Sequence, residues 1–150
     1  MNLTEMLTGQ GHDIVSEAAE AMSRAHLKHY EQIADPRDNL KILYELTVEC
    51  VTTKHLAPIT AHAEKIAKER YNAGFDLQEV QMAINVLEEA IWKHIIKEIA
   101  PSELAQALGL VSTVVGASKD TLARTYVSLA SKTKSPSLNL KAMFKGSEGF

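Results

Sequence analysis

Six histidines and two carboxylates lying near apolar helix faces are the side chains here whose types invite chemistry. His26 and His29 stand three residues apart, and His55 and His62 seven apart, spacings that put each pair on one side of an uninterrupted helix. A transition-metal site needs three or four converging ligands. None of the six His has a Glu three residues before it, as di-iron bundle helices do. The pairs therefore read as solvent-facing or hydrogen-bonded side chains, and no metal is expected. His94 is different, because rotation of about 100° per residue places it beside Leu87 and Ile91, with Trp92 on the other flank. An imidazole in such company can be the axial ligand of a haem. It can equally sit at the edge of a core and hydrogen-bond a carbonyl, and this plainer role is favoured. His94, with His55 and His62 behind it, is thus the candidate for cofactor binding. Haem is the one cofactor these residues suggest, and none is the expectation.

Glu88 and Glu98 project near the same apolar arc. A carboxylate there is costly unless paired, so Glu88 reads as one half of an interhelical ion pair or as a group reaching water at the core edge. Acid–base catalysis by Glu88 with His94 is the remaining and least favoured use. No Ser, Cys or Thr stands in a GxSxG setting, and there is neither a Walker A loop nor a GxGxxG; no catalytic residue is assigned. The GQG at Gly9 to Gly11 and the LGLV at Leu108 contain glycine without forming a phosphate cradle.

The elements that must position these groups are helices. Ile14, Ala18, Ala21, Met22 and Ala25 recur three or four apart and predict a first helix from Asp13 or Ile14 to Ile33. Asp35 and Pro36 supply an N-cap and a first helical residue for a second, running to about Leu56. Pro58 kinks that helix or restarts it, and Gly74 is placed as the terminal glycine of the segment that follows. Asp76 with Glu79 has the spacing of a capping box, flanked by Phe75 and Val80 as a hydrophobic staple. Behind it Leu77, Val80, Ile84, Leu87, Ile91 and Ile95 share one face up to about Ile99. After Pro101, the residues Leu104, Leu108, Val111, Val115, Ser118, Leu122, Tyr126 and Leu129 step by four and three into a narrow stripe. Such a stripe wants one close helical partner along its length, and Pro101 with a short turn predicts an antiparallel pair. Beyond Pro136 the tail carries Leu138, Leu140, Met143 and Phe144, an apolar cluster that reads as a docking segment.

Composition limits the partners. The chain has 150 residues, 45% hydrophobic and 23% charged, with 5% aromatic, so its core is mainly aliphatic. A formal charge of -3 gives no field toward nucleic acid or an anionic membrane. No stretch of about 18 apolar residues is present to span a bilayer, and the opening MNLTEMLTGQGHD lacks the basic and apolar regions of an export signal. The single Cys50 can form no intrachain disulfide and reads as a small core residue. A cytoplasmic protein is expected.

The segment RYNAGFDLQEVQMAINVLEEAIWKHI, with its arginine, glycine, acidic cap and long apolar stripe, resembles the all-helical N-terminal domains of stressosome co-antagonist proteins, which regulate a general-stress sigma factor. DTLARTYVSLA, with Leu122 and Tyr126, resembles that family's final helix. The resemblance spans about residues 13–132. It implies a dimerising sensory or protein-interaction domain, usually joined to a separate phosphorylatable output domain. Here the LNLKAMFKG tail stands in that domain's place, so no phosphoacceptor is expected.

The expected protein is thus an all-α, single-domain bundle of about five helices without a sheet, in which a globin-like arrangement is one form open to it. A polar leader (1–12) precedes an all-helical regulatory domain (13–132) and a tail with an apolar docking segment (133–150). The expected function is non-enzymatic signalling through homodimerisation and a protein partner, by a shift between helix packings. The alternative is a haem or small-molecule sensor. Glu88, His94, Val115, Tyr126, Leu140 and Phe144 are the candidates for an interface or pocket.

Overall fold

Apolar residues that recur three and four apart fold as helices in the computed structural model, which describes residues 1–25, 27, 29 and 36–133. In chain order these are α1 (Leu3–Gly9), α2 (Gly11–Ala25), α3 (Pro36–Thr53), α4 (Ala57–Asn72), α5 (Leu77–Glu98) and α6 (Pro101–Thr133). No strand occurs among the described residues, and the fold is all-α.

Local chemistry sets the boundaries. α3 opens on Pro36; its expected cap, Asp35, lies outside the described residues. That helix stops at Thr53, short of the expected Leu56, because Lys54 turns into the left-handed region at φ 59°. Pro58 then falls in the first turn of α4, where a missing amide costs nothing, so the chain restarts there rather than kinking. Gly74, at φ 87°, closes α4. Its N–H donates to the Tyr71 carbonyl at 3.1 Å while Phe75 N–H donates to that of Arg70 at 2.9 Å, the paired bonds of a Schellman turn. At the start of α5 the Glu79 carboxylate accepts from Asp76 N–H at 3.0 Å, and Phe75 and Val80 are both buried as a staple requires. Ile99 leaves the helix with ψ 136°, and Pro101 begins α6.

The segment read as a polar leader is not one. Leu3–Gly9 is helix α1, capped by Asn2, whose side chain accepts from Glu5 N–H at 2.8 Å, and its Met6 and Leu7 are fully buried. Three apolar residues among Thr, Glu and Gln are too few to display a period. Tyr44 of α3 holds this end down by donating its hydroxyl to the Leu7 carbonyl at 2.5 Å. Its ring passes so close that a Cβ on Gly11 would meet Tyr44 Cε2 at 2.9 Å, which gives the second glycine of GQG a packing role. α2 begins at Gly11 and is described to Ala25; of the remainder of the expected first helix, only Leu27 and His29 are described.

α5 and α6 form the expected antiparallel pair: the Tyr126 hydroxyl reaches the Phe75 carbonyl before α5, and mid-helix Glu88 meets Lys119. α2 packs on α5, and α4 and α3 pack on α6. The interior is aliphatic, led by Ile14, Leu40, Ile59, Leu87, Ile91, Ile95, Val111 and Leu122. Each such Leu or Ile contributes about 1.5–3 kcal/mol on burial. The stripe of α6 is consumed inside the chain, with Val111, Val115, Ser118, Leu122 and Tyr126 all buried. Val115, expected at an interface, is therefore a core residue facing the chain's own helices.

Candidate functional site

One buried carboxylate ties several elements together. Glu79, 6% exposed, accepts the Asp76 N–H at the start of α5 and also the backbone N–H of His29 at 2.8 Å, while His29 Nδ1 lies 2.6 Å from its Oε1. Burial alone would raise this carboxyl's pKa. The hydrogen bonds from Asp76 and His29 outweigh burial and hold it below the ordinary carboxylate value. The His29 ring lies 5.4 Å from that of Phe75, over which the Arg70 guanidinium sits at 5.3 Å. Tyr126 donates to the Phe75 carbonyl at 2.9 Å and meets Tyr71 edge-on at 5.5 Å. Burial pushes the Tyr126 hydroxyl up to about 12, so it remains a donor. Glu79 was legible in the sequence as a cap. Its hold on His29, fifty residues away in the chain, was not.

Beside this junction a cavity opens between α3, α4, α5 and α6. It measures about 50 Å³, within about 560 Å³ of empty space that includes its open mouth. Leu40, Leu43, Ile66, Val80, Ile84 and Leu122 make most of the wall, and the polar groups reaching it are Asn39, His62, Arg70 and Ser118. Burial, followed by the nearby Lys65 charge, lowers the His62 pKa, which leaves its ring neutral near pH 7. Arg70 is then the permanent cation of the lining.

His94, the favoured cofactor candidate, lies elsewhere, between α2 and α5. Its Nδ1 contacts Gln10 Oε1 and its Nε2 lies 3.0 Å from Glu17 Oε1. Both ring nitrogens have oxygen partners, the side-chain carbonyl of Gln10 and the carboxylate of Glu17. An axial haem bond through either nitrogen would have to displace Gln10 or Glu17. Trp92, expected on its flank, turns outward. His55 sits exposed in the turn before α4 while His62 is half-buried on α4, so the break ahead of Pro58 separates the pair. His26 lies outside the described residues. Among the described residues no group of three His, Cys, Asp or Glu side chains converges as a metal site would.

Glu88 Oε1 lies 2.9 Å from Lys119 Nζ, an ion pair between α5 and α6. Glu98 is half-buried in the last turn of α5. Cys50 is fully buried, and that burial raises its thiol pKa, the state of an inert core residue. Leu140 and Phe144 lie outside the described residues. On the outer surface of α5, Trp92 is 39% exposed and Ile96, one turn on, is 61% exposed. No helix among the described residues is long and apolar enough to cross a membrane.

A model of the family described as "RsbT co-antagonist protein rsbRD N-terminal domain" matches residues 12–130. Neither the curated proteins nor the solved structures provide a match.

Proposed function

Because the chain belongs to the family of RsbT co-antagonist protein RsbRD N-terminal domains, we propose that it is a non-enzymatic module whose output is a protein contact. Membership makes it an all-α regulatory domain of a stress-signalling family and implies protein partners. The finer reading is that two copies join through α5 and that the pair, acting with an RsbT-type partner, passes on a change in helix packing.

The observation that carries this reading is the Trp92 and Ile96 pair. Large apolar side chains one turn apart on a charged helix, while every stripe residue of α6 is at least half-buried, are the one such pair on α5 left facing water. Aromatic residues of this kind are enriched where proteins meet. The movable part is the Glu79 junction, since releasing His29 from one carboxylate would uncouple the segment after α2 from the cap of α5. A partner that binds one packing better shifts the population toward it. The reading assigns no haem, because His94 is already engaged on both nitrogens. The tail cluster around Leu140 and Phe144 serves in it as a docking segment.

Light scattering at micromolar concentration tests it. A mass of about twice 16.5 kDa is expected, and 16.5 kDa at every accessible concentration would remove the dimer from the account.

A further inference from the structure

We propose that the cavity between α3, α4, α5 and α6 is a binding site for an aliphatic carboxylate of roughly six to eight carbons, its head group on Arg70 and its chain running inward toward Ser118. Four features assign that ligand class.

The wall is mostly aliphatic, which selects a hydrocarbon chain. Arg70 is a permanent cation, half-buried, and no carboxylate pairs with it among the described residues; its guanidinium rests over the Phe75 ring. A planar guanidinium without a partner beside an apolar cleft is suited to a carboxylate. Asn39 joins it in the lining and offers amide donors. Ser118, 1% exposed, also lines the cavity and offers it a hydroxyl.

The length follows from α4. His62 and Arg70 both line the cavity eight residues apart on that helix, a span on the order of 12 Å along its wall. At about 50 Å³ the cavity is narrow, so a single unbranched chain enters it while the head group stays in the open mouth. The other charges around His62 are Lys65 and Glu69, which offset one another and leave Arg70 to decide the sign.

The site lies against the Glu79 junction, since Phe75 and Val80 belong both to the cavity wall and to the start of α5. A chain wedged there presses on the contacts that hold α5 to His29. This consequence, unlike the binding itself, rests on the regulatory reading above.

Isothermal titration of the full chain with butanoate, hexanoate, octanoate and octanol, alongside light scattering, tests the proposal. One carboxylate should bind per chain, with affinity rising about fourfold for each added methylene until the cavity is full. Octanol should bind at least tenfold more weakly than octanoate, and Arg70→Gln should abolish that preference while circular dichroism and Tm stay near wild type. Saturable binding with an unchanged mass still supports the site and detaches it from assembly. No heat with octanoate at millimolar concentration on folded protein, or equal affinity for octanoate and octanol, overturns it.

Discussion

Replacing Glu79 by alanine is the sharpest test of how the helices are locked. The side chain accepts two backbone N–H bonds and one from an imidazole, and it is nearly inaccessible. Hydrogen bonds to a charged acceptor contribute about 1.5–3 kcal/mol each. Relief of the carboxylate's own desolvation offsets part of that sum, so the expected net loss is about 3 kcal/mol. Typical domains have about 5–15 kcal/mol in all. At about 2–4 °C per kcal/mol for a chain of this size, the midpoint should fall by about 6–12 °C. Glu79→Gln keeps one oxygen for the Asp76 N–H and should lose about half as much. The pH dependence gives an independent check. The folded pKa of Glu79 lies below its ordinary value of 4.5, so its stabilisation is present above that pH and is lost as pH falls through the folded value. The gap in unfolding free energy between wild type and Glu79→Gln, measured by urea denaturation, should therefore narrow from pH 5 to pH 3. A loss below about 1 kcal/mol for Glu79→Ala, or a gap that stays constant with pH, would refute the reasoning.

Val115→Asp should abolish cooperative unfolding, because it places a charge in a fully packed interior; a folded, dissociated variant would instead put Val115 on an assembly surface. Truncation after Lys134 tests the proposed docking role of the tail: burial of two of its apolar residues would show as a fall in calorimetric Tm equivalent to about 3–6 kcal/mol. Unchanged stability together with loss of a co-purifying protein would assign the segment to recruitment, and no change in either would show it idle.

The sequence carried the fold wherever a local rule acts alone. Gly74, the Asp76 and Glu79 cap and the two prolines set helix ends through backbone geometry within a few residues, and those ends are legible without knowledge of the fold. Lys54 was not, since a left-handed lysine breaks the usual preference for glycine. α1 was missed because three apolar residues in a short polar stretch show no period, yet the core takes up Met6 and Leu7 completely. For the candidate site the limit was distance along the chain. Glu88 could be read as one half of an interhelical pair, but the identity of Lys119 depended on the register of α5 and α6. Arg70 entered only as the arginine of the family resemblance and Ser118 only as a member of the apolar stripe; that they line one cavity emerges only once α3 and α4 close over them.

Trp92 reports directly on the central claim, because it is the chain's single tryptophan and stands on the proposed contact face. Its emission maximum and the mass of the chain should be recorded together for wild type and Ile96→Glu across a wide concentration range. The account predicts that wild type emits at shorter wavelength and weighs twice 16.5 kDa, and that Ile96→Glu emits further to the red at 16.5 kDa with its helix content intact. Identical emission and a mass of 16.5 kDa for both proteins would contradict it.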